Sequence, residues 1–332
     1  GGVDSSVAAA LLKEQGYHVI GATMRLWTYS DSCNMKHEGC CAESAVEDAR
    51  RVCDKLGIDF YVMNFKDIFK DKVVDYFVDE YIHGRTPNPC IACNKYLKFD
   101  ALLKKALAMG IDYVATGHYA KIEKGEDGKY ILRASEAVKK DQSYVLYNFT
   151  QEQLAHTLMP LGGYNKDWVR QKAEELGLGV AHKPDSQEIC FVEDDDYAKF
   201  ITDYSGYKPK EGDILDVNGN VIGKHRGLIY YTIGQRKGIG AYGRPMFVMK
   251  IDAENNTITL GEKGMEFSNE LTAYDVNFVS GEFPKENMLI TAKVRYQAPP
   301  AAAMLCPQKD GTVKLMFPEP QRAVTPGQAV VF

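Results

Sequence analysis

The sequence has 332 residues, 45% of them hydrophobic and 26% charged, and a formal net charge of −5 at pH 7. Its length allows two or three packed domains, and its composition is that of an ordinary globular protein. Because it contains neither a run of about 18 to 20 apolar residues nor a signal-peptide pattern, we exclude a membrane-spanning protein and expect a cytoplasmic one. The eight cysteines are too sparse for a disulfide framework, which favours buried, metal-binding or catalytic thiols.

Helices and strands alternate through the first part of the chain. Ser5 and Ser6 can cap a first helix, Gly16 can end it, and a β-rich run follows. The same periodicities predict further helices over 43–56, 66–82 and 94–109, and strands over 17–24, 60–64 and 113–116. Repeated βα units predict an α/β fold with a doubly wound parallel sheet, which binds ligands at the carboxyl ends of its strands.

Short strands and turns replace the helices after about residue 205. Asn218-Gly219 between two apolar runs is a hairpin signal. We predict an α/β domain over 1–204, a small β-rich domain over 205–265 and a C-terminal β-barrel over 266–332. The sequence starts at Gly1 instead of Met and stops in an apolar run, so we expect a fragment that lacks a first strand and some final strands.

Glycines and serines suited to binding a phosphate stand at the start of the first predicted helix. The glycines let backbone N–H groups converge on an anion, the serines add hydroxyl donors, and the helix dipole favours negative charge there. The run lacks the lysine of a Walker loop. Asp4 suits a Mg²⁺ contact or simple capping, and a plain turn before a helix is the alternative interpretation. The residues of the run are Gly1, Gly2, Val3, Asp4, Ser5 and Ser6.

Two cysteine-containing segments are candidates for catalysis. With Asn94 as the predicted cap, Cys93 would lie at a helix N-terminus, where the dipole and Lys95 lower the pKa of a thiol. Half a zinc site, a redox dithiol and two buried thiols are the other interpretations of Cys90 with Cys93. Cys190 follows the polar run DSQEI, although a lone cysteine before phenylalanine is also common in protein cores.

The span between Asp216 and Asp252 contains no acidic residue and is rich in basic and tyrosine side chains. Lysine and arginine contact phosphates while tyrosines stack on unpaired bases, which is how RNA loops are usually recognised. The span therefore favours an RNA partner despite the net negative charge, and a solvated face of a β domain is the alternative. Its members are Lys224, His225, Arg226, Arg236, Lys237, Arg244 and Lys250, with Tyr230, Tyr231 and Tyr242.

Eight motifs in this order closely resemble the bacterial tRNA-specific 2-thiouridylase family over nearly the whole chain. They are GGVDSSV, GRTPNPC-x-x-CNK-x-x-KF, ATGHYA, KKDQSYVLY, DSQEICF, GLIYYTIGQRKG, VRYQ and VTPGQAVVF. The first is similar to the pyrophosphatase loop SGGxDS of enzymes that cleave ATP to AMP. The resemblance implies a HUP-like nucleotide-binding fold and a tRNA-uridine 2-sulfurtransferase that uses ATP and Mg²⁺.

The implied reaction converts the wobble uridine 34 of tRNA to 2-thiouridine and releases AMP and pyrophosphate. Adenylation activates the C2 carbonyl, and a cysteine persulfide supplies the sulfur. The implied partners are lysine, glutamate and glutamine tRNAs, bound through the anticodon region, and a sulfur-donor protein, either a cysteine desulfurase or a relay carrier. The target base must leave its stack to react, so base extrusion is expected.

The resemblance also implies roles for individual residues. Cys93 matches the catalytic nucleophile and Cys190 the persulfide-bearing cysteine, while Cys90 stands where many relatives have an aspartate suited to acid or base work. The implied ATP contacts are Gly1, Gly2, Val3, Asp4, Ser5, Ser6, Met24 and Gly117. The implied tRNA contacts are Asn88, Pro89, Cys90, His118, Lys140, Asp141, Gln142, Arg295, Tyr296 and Gln328, to which the basic span adds Arg236 and Lys237.

Three alternatives remain open at the level of sequence. An iron–sulfur enzyme would use Cys90, Cys93 and Cys190 as ligands of a cluster and sulfide as the sulfur source. A different adenylating ligase with the same ATP loop, making an amide or an amidine, would need no cysteine pair. A non-catalytic RNA-binding module would need no ATP.

Overall fold

The computed structural model describes residues 2–27, 43–184, 189–192 and 195–332. The chain forms two compact units, each assembled from segments that are far apart in the sequence. Unit 1 comprises Gly1–Val73, Cys90–Asp195 and Asn277–Glu282, and unit 2 comprises Val74–Pro89, Asp196–Val276 and Phe283–Phe332. Within the described ranges, no helix is both long enough and apolar enough to cross a membrane.

Unit 1 contains short parallel strands between helices. α1 (Val3–Glu14) precedes β1 (Ile20–Arg25), and α2 (Glu43–Leu56) precedes β2 (Asp59–Asn64). β1 and β2 pair in parallel, from Ile20 opposite Asp59 to Arg25 opposite Asn64. A second parallel pair joins β3 (Val114–Ala115) to β6 (Thr157–Leu158), and a hairpin is formed by β4 (Ala120–Lys124) and β5 (Tyr130–Ala134).

The other helices are mostly short, and four of them flank two π-helical segments. The π-helical segment Lys70–Asp75 lies between α3 (Lys66–Phe69) and α4 (Tyr76–Ile82). The π-helical segment Cys93–Ala101 lies between α5 (Pro89–Ala92) and α6 (Leu102–Ala108). They are followed by α7 (Gln151–Ala155), α8 (Lys166–Glu175) and α9 (Tyr197–Ser205).

A buried apolar cluster fixes α1 in unit 1. Val7 of α1 is fully buried, as are Val169 and Ala173 of α8, and Val52 of α2 joins the same cluster. Tyr119, in the segment after β3, is 3% exposed and packs there as well. Because α1 is held on two sides by other helices, the position of its N-terminus is set by the core.

Unit 2 contains two four-stranded sheets, with strand orders β8-β7-β10-β9 and β11-β14-β13-β12. The first is made of β7 (Gly212–Leu215), β8 (Val221–His225), β9 (Met246–Asp252) and β10 (Thr257–Glu262). The second is made of β11 (Phe267–Ala273), β12 (Met288–Ala292), β13 (Ala301–Pro307) and β14 (Val313–Arg322). The predicted hairpin joins β7 to β8, and Gly219 has the positive φ (86°) that its turn requires.

The predicted fold class, an α/β region followed by mainly β domains, is confirmed. Two local predictions are wrong. Ser5 and Ser6 do not cap α1, because the helix already begins at Val3 and its cap position is Gly2. The helix that contains Cys93 begins at Pro89 and not at Asn94. Proline fits the first position of a helix because the N–H that it lacks would have no partner there. Asn94 is buried and its side-chain amide donates to the carbonyl of Val145 at 2.9 Å, so it anchors the helix instead of capping it.

Candidate active site

The start of α1 forms a turn suited to an anion. Gly2 is extended (φ −98°, ψ 179°), and α1 begins at the next residue. The hydroxyls of Ser5 and Ser6 both donate to the carbonyl of Gly2, at 3.1 and 2.9 Å. The N–H groups of a first helical turn have no acceptor within the helix, and the dipole makes this end positive. The turn therefore has the donors and the field that a phosphate requires, while Gly1 lies outside the described residues.

Gly117 lies directly against this turn. A Cβ atom at position 117 would come within 2.6 Å of the carbonyl carbon of Asp4 and of the backbone nitrogen of Ser5. Gly117 follows β3, and Met24 lies next to the last residue of β1. Both therefore stand at the carboxyl ends of parallel strands, where α/β sheets bind their ligands. The structure brings Gly117 to the turn, and its contact with ATP stays a prediction, as does that of Met24.

The carboxylate of Asp4 is held by two groups from distant parts of the chain. The ammonium of Lys166 lies 2.7 Å from Oδ1 and 2.8 Å from Oδ2 of Asp4. The hydroxyl of Tyr119 donates to Oδ1 at 2.7 Å. The Lys166 side chain is 12% exposed and that of Asp4 31%, so the pair is largely shielded from water. Asp4 therefore does not cap α1 but lies within its first turn, where its carboxylate ties α1 to α8 and to Tyr119.

The donor set at this turn fits a metal ion that arrives with phosphates. Mg²⁺ is usually bound by one or two carboxylates, with substrate phosphates and water completing its shell. Asp4 offers one carboxylate, whose oxygens contact Lys166 and Tyr119. In the part of the chain that the structure describes, no group of three or more His, Cys, Asp or Glu residues could hold a metal ion. The described residues suit a phosphate-bound Mg²⁺ better than a metal held by the protein alone.

Cys90 and Cys93 lie three residues apart on the helix that begins at Pro89, and so on the same side of it. Cys90 is exposed and Cys93 is partly buried. The π-helical segment starts at Cys93 itself, and such wide turns are frequent at functional sites. Because Cys93 follows the first turn, the helix N-terminus favours a thiolate at Cys90 more directly than at Cys93.

Cys190 reaches the same part of unit 1 from a separate segment. Cys190 is exposed, whereas Phe191 is 3% exposed and packs edge-on against Phe69 at 5.7 Å between ring centroids. Phe69 belongs to α3, which contacts the π-helical segment that starts at Cys93. The two predicted catalytic segments therefore pack on the same short helix. The rest of the DSQE run, 185–188, lies outside the described residues.

Two predicted tRNA-binding segments of unit 1 meet at Tyr119. The Tyr119 N–H donates to Oε1 of Gln142 at 3.0 Å, and the Gln142 N–H donates to the Tyr119 carbonyl at 2.9 Å. His118 and the segment Lys140–Gln142 are thus neighbours although they are far apart in sequence. The Asp141 carboxylate accepts bonds from the backbone and hydroxyl of Ser143, which stabilises the loop. The contact of these residues with tRNA stays a prediction.

The ring of His118 lies among Thr116, Lys98 and Phe99. The Thr116 hydroxyl is 2.7 Å from Nδ1, and the Lys98 ammonium is 3.5 Å from Nε2. Burial, assisted by the positive charge of Lys98, lowers the pKa of His118 well below its usual value of 6.5. His118 is therefore neutral near pH 7 and acts as a hydrogen-bonding ring instead of a cation.

In unit 2, predicted tRNA contacts gather around Thr86. The Thr86 N–H donates to the carbonyl of Pro326 at 2.9 Å, and the Thr86 carbonyl accepts from the side-chain amide of Gln328 at 2.6 Å. The Thr86 and Thr232 hydroxyls are 3.2 Å apart. Gly327 has a φ of +91°, and a Cβ atom there would lie 2.8 Å from the Thr86 nitrogen. We call Thr86, Thr232, Gly327 and Gln328 the Thr86 junction.

The Thr86 junction connects several predicted contact segments of unit 2. Asn88 and Pro89 lie two and three residues after Thr86 in the chain. An antiparallel bridge between Lys293 and Val331 places the segment with Arg295 and Tyr296 beside the segment with Gln328. Tyr296 is 39% exposed, which leaves part of its ring accessible. These residues are therefore close together, and their contact with tRNA stays a prediction.

The basic span of unit 2 is less positive than its sequence suggests. Three of its side chains pair with carboxylates: Lys224 with Asp213 at 2.6 Å, Arg244 with Glu262 at 2.6 Å and Lys250 with Asp252 at 2.9 Å. Arg226 stacks on Tyr230 at 4.0 Å, while His225 and Tyr231 are buried. Arg236 and Lys237 are exposed and form no ion pair with any residue that the structure describes. They are the cations of the span most available to a polyanion.

Comparison with known proteins covers the whole chain. Residues 1–194 match the family described as tRNA methyl transferase HUP domain, residues 198–262 the tRNA methyl transferase PRC-barrel domain, and residues 268–332 the aminomethyltransferase beta-barrel domain. The chain is 59% identical over 335 residues to the tRNA-specific 2-thiouridylase MnmA of Acetivibrio thermocellus, covering 100% of this chain and 93% of that protein. The chain belongs to the MnmA family of tRNA-specific 2-thiouridylases.

Other members of the family are similarly close. The protein of the same name from Clostridioides difficile is 57% identical, and tRNA-specific 2-thiouridylase MnmA 2 of Caldanaerobacter subterraneus is 56% identical. Each comparison covers 100% of this chain and 92% of the relative. The resemblance drawn from the eight sequence motifs is confirmed, while the division into three domains stays a prediction.

Three residues at these sites were not predicted from the sequence. Tyr119 and Thr86 lie inside the quoted motifs ATGHYA and GRTPNPC, so the motifs signalled them without indicating their partners. Lys166 lies in none of the motifs. Its neighbour Asn165 caps α8 by accepting from the Trp168 N–H at 2.8 Å, a signal that predicts a helix start and nothing about Asp4.

Proposed function

We propose that this protein is an ATP-dependent tRNA-uridine 2-sulfurtransferase that converts the wobble uridine of tRNA to 2-thiouridine. The observation that carries the proposal is that one compact unit contains both the turn at the start of α1, against which Gly117 packs, and the segments of Cys93 and Cys190. Full-length relatives named for 2-thiouridylation support it. Methyl transfer, which appears in the family descriptions, would require neither an ATP turn nor a pair of thiols.

The first step activates the uridine. The C2 oxygen attacks the α-phosphorus of ATP, the bond from that phosphorus to the bridging oxygen breaks, and pyrophosphate leaves with the electron pair. The N–H groups at the start of α1 are the donors that would neutralise the departing charge. Mg²⁺, held by Asp4 and the phosphates, would supply further positive charge when bound. The uridine then carries AMP, a far better leaving group than hydroxide.

The second step delivers sulfur from a persulfide on Cys190. The Cys93 thiolate attacks Sγ of Cys190, the persulfide S–S bond breaks, and hydrosulfide leaves with the electron pair as a Cys93–Cys190 disulfide forms. Hydrosulfide adds to C2, and AMP departs with the uridine oxygen. Alternatively, the terminal persulfide sulfur attacks C2 directly and AMP departs, after which the Cys93 thiolate attacks Sγ of Cys190 and releases the thiolated uridine. The products are the same. In both cases a thiol reductant reopens the disulfide.

The substrate tRNA would contact both units. In unit 1 the proposed contacts are His118 and the segment Lys140–Gln142, and in unit 2 they surround the Thr86 junction and include Arg236 and Lys237. Exposed cations contact the phosphate backbone, whereas polar groups near the thiols orient the extruded base. We further propose that lysine, glutamate and glutamine tRNAs are the acceptors and that a cysteine desulfurase or relay carrier loads Cys190.

The test is mass spectrometry of tRNA nucleosides after incubation of the protein with tRNA, ATP, Mg²⁺ and a cysteine desulfurase with cysteine. We expect 2-thiouridine at the wobble position together with AMP and pyrophosphate. Reactions without ATP, and with Cys190→Ser, are the matched controls. Release of ADP and phosphate, or a methylated nucleoside formed without ATP, would overturn the proposal.

The alternatives are distinguished in the same preparations. An iron–sulfur enzyme, with Cys90, Cys93 and Cys190 as ligands, would show visible cluster absorbance after anaerobic purification and would lose it in each cysteine variant. An adenylating ligase would release AMP and modify its substrate without either Cys93 or Cys190. A binding module would release no AMP in the presence of tRNA.

A further inference from the structure

The pyrophosphatase loop of this chain contains no lysine, although its ligand is strongly anionic. In Walker loops, by contrast, a lysine within the loop reaches the phosphates. Here a lysine reaches the loop from another helix: the Lys166 ammonium lies 2.7 and 2.8 Å from the carboxylate oxygens of Asp4. Asp4 is the second residue of α1, so Lys166 contacts a side chain of the first turn of this helix.

The position of Lys166 is not explained by the stability of its own helix. Lys166 is the first residue of α8, where the helix dipole disfavours a cation. Its side chain is only 12% exposed, and its ammonium lies 5.9 Å from the centre of the Tyr119 ring. A largely desolvated lysine in an unfavourable dipole requires a compensating anion, and Asp4 supplies one negative charge.

The N-terminus of α1 adds roughly half a positive charge beside the Lys166–Asp4 pair. The Tyr119 hydroxyl, by donating to Asp4, leaves the carboxylate less dependent on the lysine alone. An incoming triphosphate therefore meets a positive turn and an ammonium already held beside it.

We propose that Lys166 is the phosphate-binding cation of this ATP site, held in place by Asp4 and Tyr119. It contacts the phosphates of ATP, strengthens binding, and stabilises the pyrophosphate that leaves when the α-phosphorus bonds to the uridine oxygen. The inference rests on the proposed function, because it concerns the same ATP site. It adds a residue from outside the loop that supplies the charge the loop lacks.

A second ion pair between the same two helices provides a matched control. Lys172 of α8 pairs with Glu14 of α1 at 2.9 Å, and its side chain is 21% exposed. Both lysines therefore tie α8 to α1, but only Lys166 does so at the turn. A Lys172→Met variant loses a helix–helix ion pair without changing the charge beside the phosphates.

The experiment compares Lys166→Met, Lys166→Arg and Lys172→Met with the unaltered full chain. Binding of α,β-methylene-ATP with Mg²⁺ is measured by calorimetry without tRNA, and AMP release is measured with tRNA. We expect Lys166→Met to weaken binding of the analogue about tenfold or more and to slow AMP release by about a hundredfold. Lys166→Arg keeps the charge and should recover part of both, and Lys172→Met should bind the analogue normally.

The outcomes separate this inference from the function on which it rests. Normal binding and AMP release in Lys166→Met would overturn the inference while thiolation by the unaltered protein stands. Equal losses in Lys166→Met and Lys172→Met would also overturn it, because they would reflect damaged packing between α1 and α8. If the unaltered protein releases no AMP with tRNA, the proposed function fails and the inference fails with it.

Discussion

The two units each bring distant segments together at a glycine, but they use charge differently. In unit 1, Gly117 lies against the backbone of Asp4, whose carboxylate is then enclosed by Lys166 and Tyr119. In unit 2, Gly327 lies against Thr86, and the bonds at this junction are between neutral groups. Elsewhere in unit 2, the nearly buried carboxylates of Glu80 and Glu266 pair with Arg85 and Arg322, while Arg236 of the basic span is exposed.

The difference matches the size of the expected ligands. A triphosphate is small, so donors from several elements must converge on it and the charged groups become shielded from water. A tRNA is a long polyanion that is contacted by extended surfaces, so exposed cations can bind its phosphates. The Thr86 junction then has only to position the loops around it. Damage at the turn of α1 should therefore impair chemistry, and damage at the Thr86 junction should impair tRNA binding.

The largest effect is expected at the cysteines of unit 1. Cys190→Ser should lose persulfide loading and thiolation together, whereas Cys93→Ser should still load persulfide but fail to turn over, since a missing nucleophile is close to total loss. AMP release should survive in both, because neither thiol takes part in adenylation. Persulfide labelling and nucleoside mass spectrometry measure the two steps.

Cys90→Ser is the matched variant for these two. If Cys90 replaces an acid or base, its loss should be milder, on the order of a hundredfold. Equal inactivity of all three variants, with loss of iron from the protein, would contradict the persulfide relay and favour a cluster.

The next effect is expected at Gly117. In Gly117→Ala the new methyl group would meet backbone atoms 2.6 Å away, which side-chain movement cannot relieve. Overpacking of this kind destabilises by roughly 1–3 kcal/mol, and the displaced turn should also lose binding of an ATP analogue. Gly163→Ala is the control, since its Cβ would meet nothing nearer than a lysine carbon at 3.9 Å. Normal analogue binding by Gly117→Ala would refute the assignment of this turn to ATP.

Gly327→Ala in unit 2 should impair tRNA binding and not ATP-analogue binding, in contrast to Gly117→Ala. The methyl group would lie 2.8 Å from the Thr86 nitrogen, and the φ of +91° is itself unfavourable for alanine. Gly311 has a similar φ of +85° but open space around it, so Gly311→Ala isolates the strain from the clash. We expect tRNA binding, measured by filter retention, to weaken in Gly327→Ala more than in Gly311→Ala, with ATP-analogue binding unchanged in both.

A smaller effect on tRNA binding is expected when exposed cations are replaced. Replacing Arg236 and Lys237 by alanine should weaken tRNA binding and reduce its salt dependence by about one unit of slope per lost phosphate contact. Lys224 and Lys250 are already paired with Asp213 and Asp252, so the corresponding double alanine variant should change the slope less. Equal slopes in the two double variants would show that ion pairing in the free protein does not decide which cations meet tRNA.

The smallest effect is a pH dependence of stability from His118. Burial lowers the pKa of His118, so the folded protein keeps the ring neutral while the unfolded chain binds a proton below about pH 6.5. The unfolded state then binds more protons, and stability should fall as pH decreases from about 6.5, by at most about 1.4 kcal/mol per unit for this group.

Thermal unfolding between pH 8 and pH 5 measures this dependence. The stability of His118→Gln should change less with pH in that range than the stability of the unaltered protein. His182→Gln, at a histidine whose side chain is 86% exposed, is the control. An identical pH profile in His118→Gln and the unaltered protein would contradict a lowered pKa of His118 in the folded protein.

The sequence predicted some elements to within a residue or two because their signals are local. α2 has the predicted bounds, and Gly16 and Gly57 follow their helices with positive φ. The start of the Cys93 helix was misplaced because Asn94 is a typical cap residue, and only its burial against Val145 shows that it serves another purpose. Pro89, a typical first helical residue, was the competing signal.

The sequence by itself determined the family and singled out the glycine–serine turn and the candidate thiols, because these depend on residues that are contiguous in short motifs. The tertiary structure decided which distant residues meet them: Lys166 and Tyr119 at Asp4, and Gln328 at Thr86. It also decided which cations of the basic span are already neutralised, since ion pairing depends on strands that lie side by side only after folding. Local sequence patterns reflect the backbone preferences of neighbouring residues, whereas a contact between residues more than a hundred positions apart forms only when the chain packs.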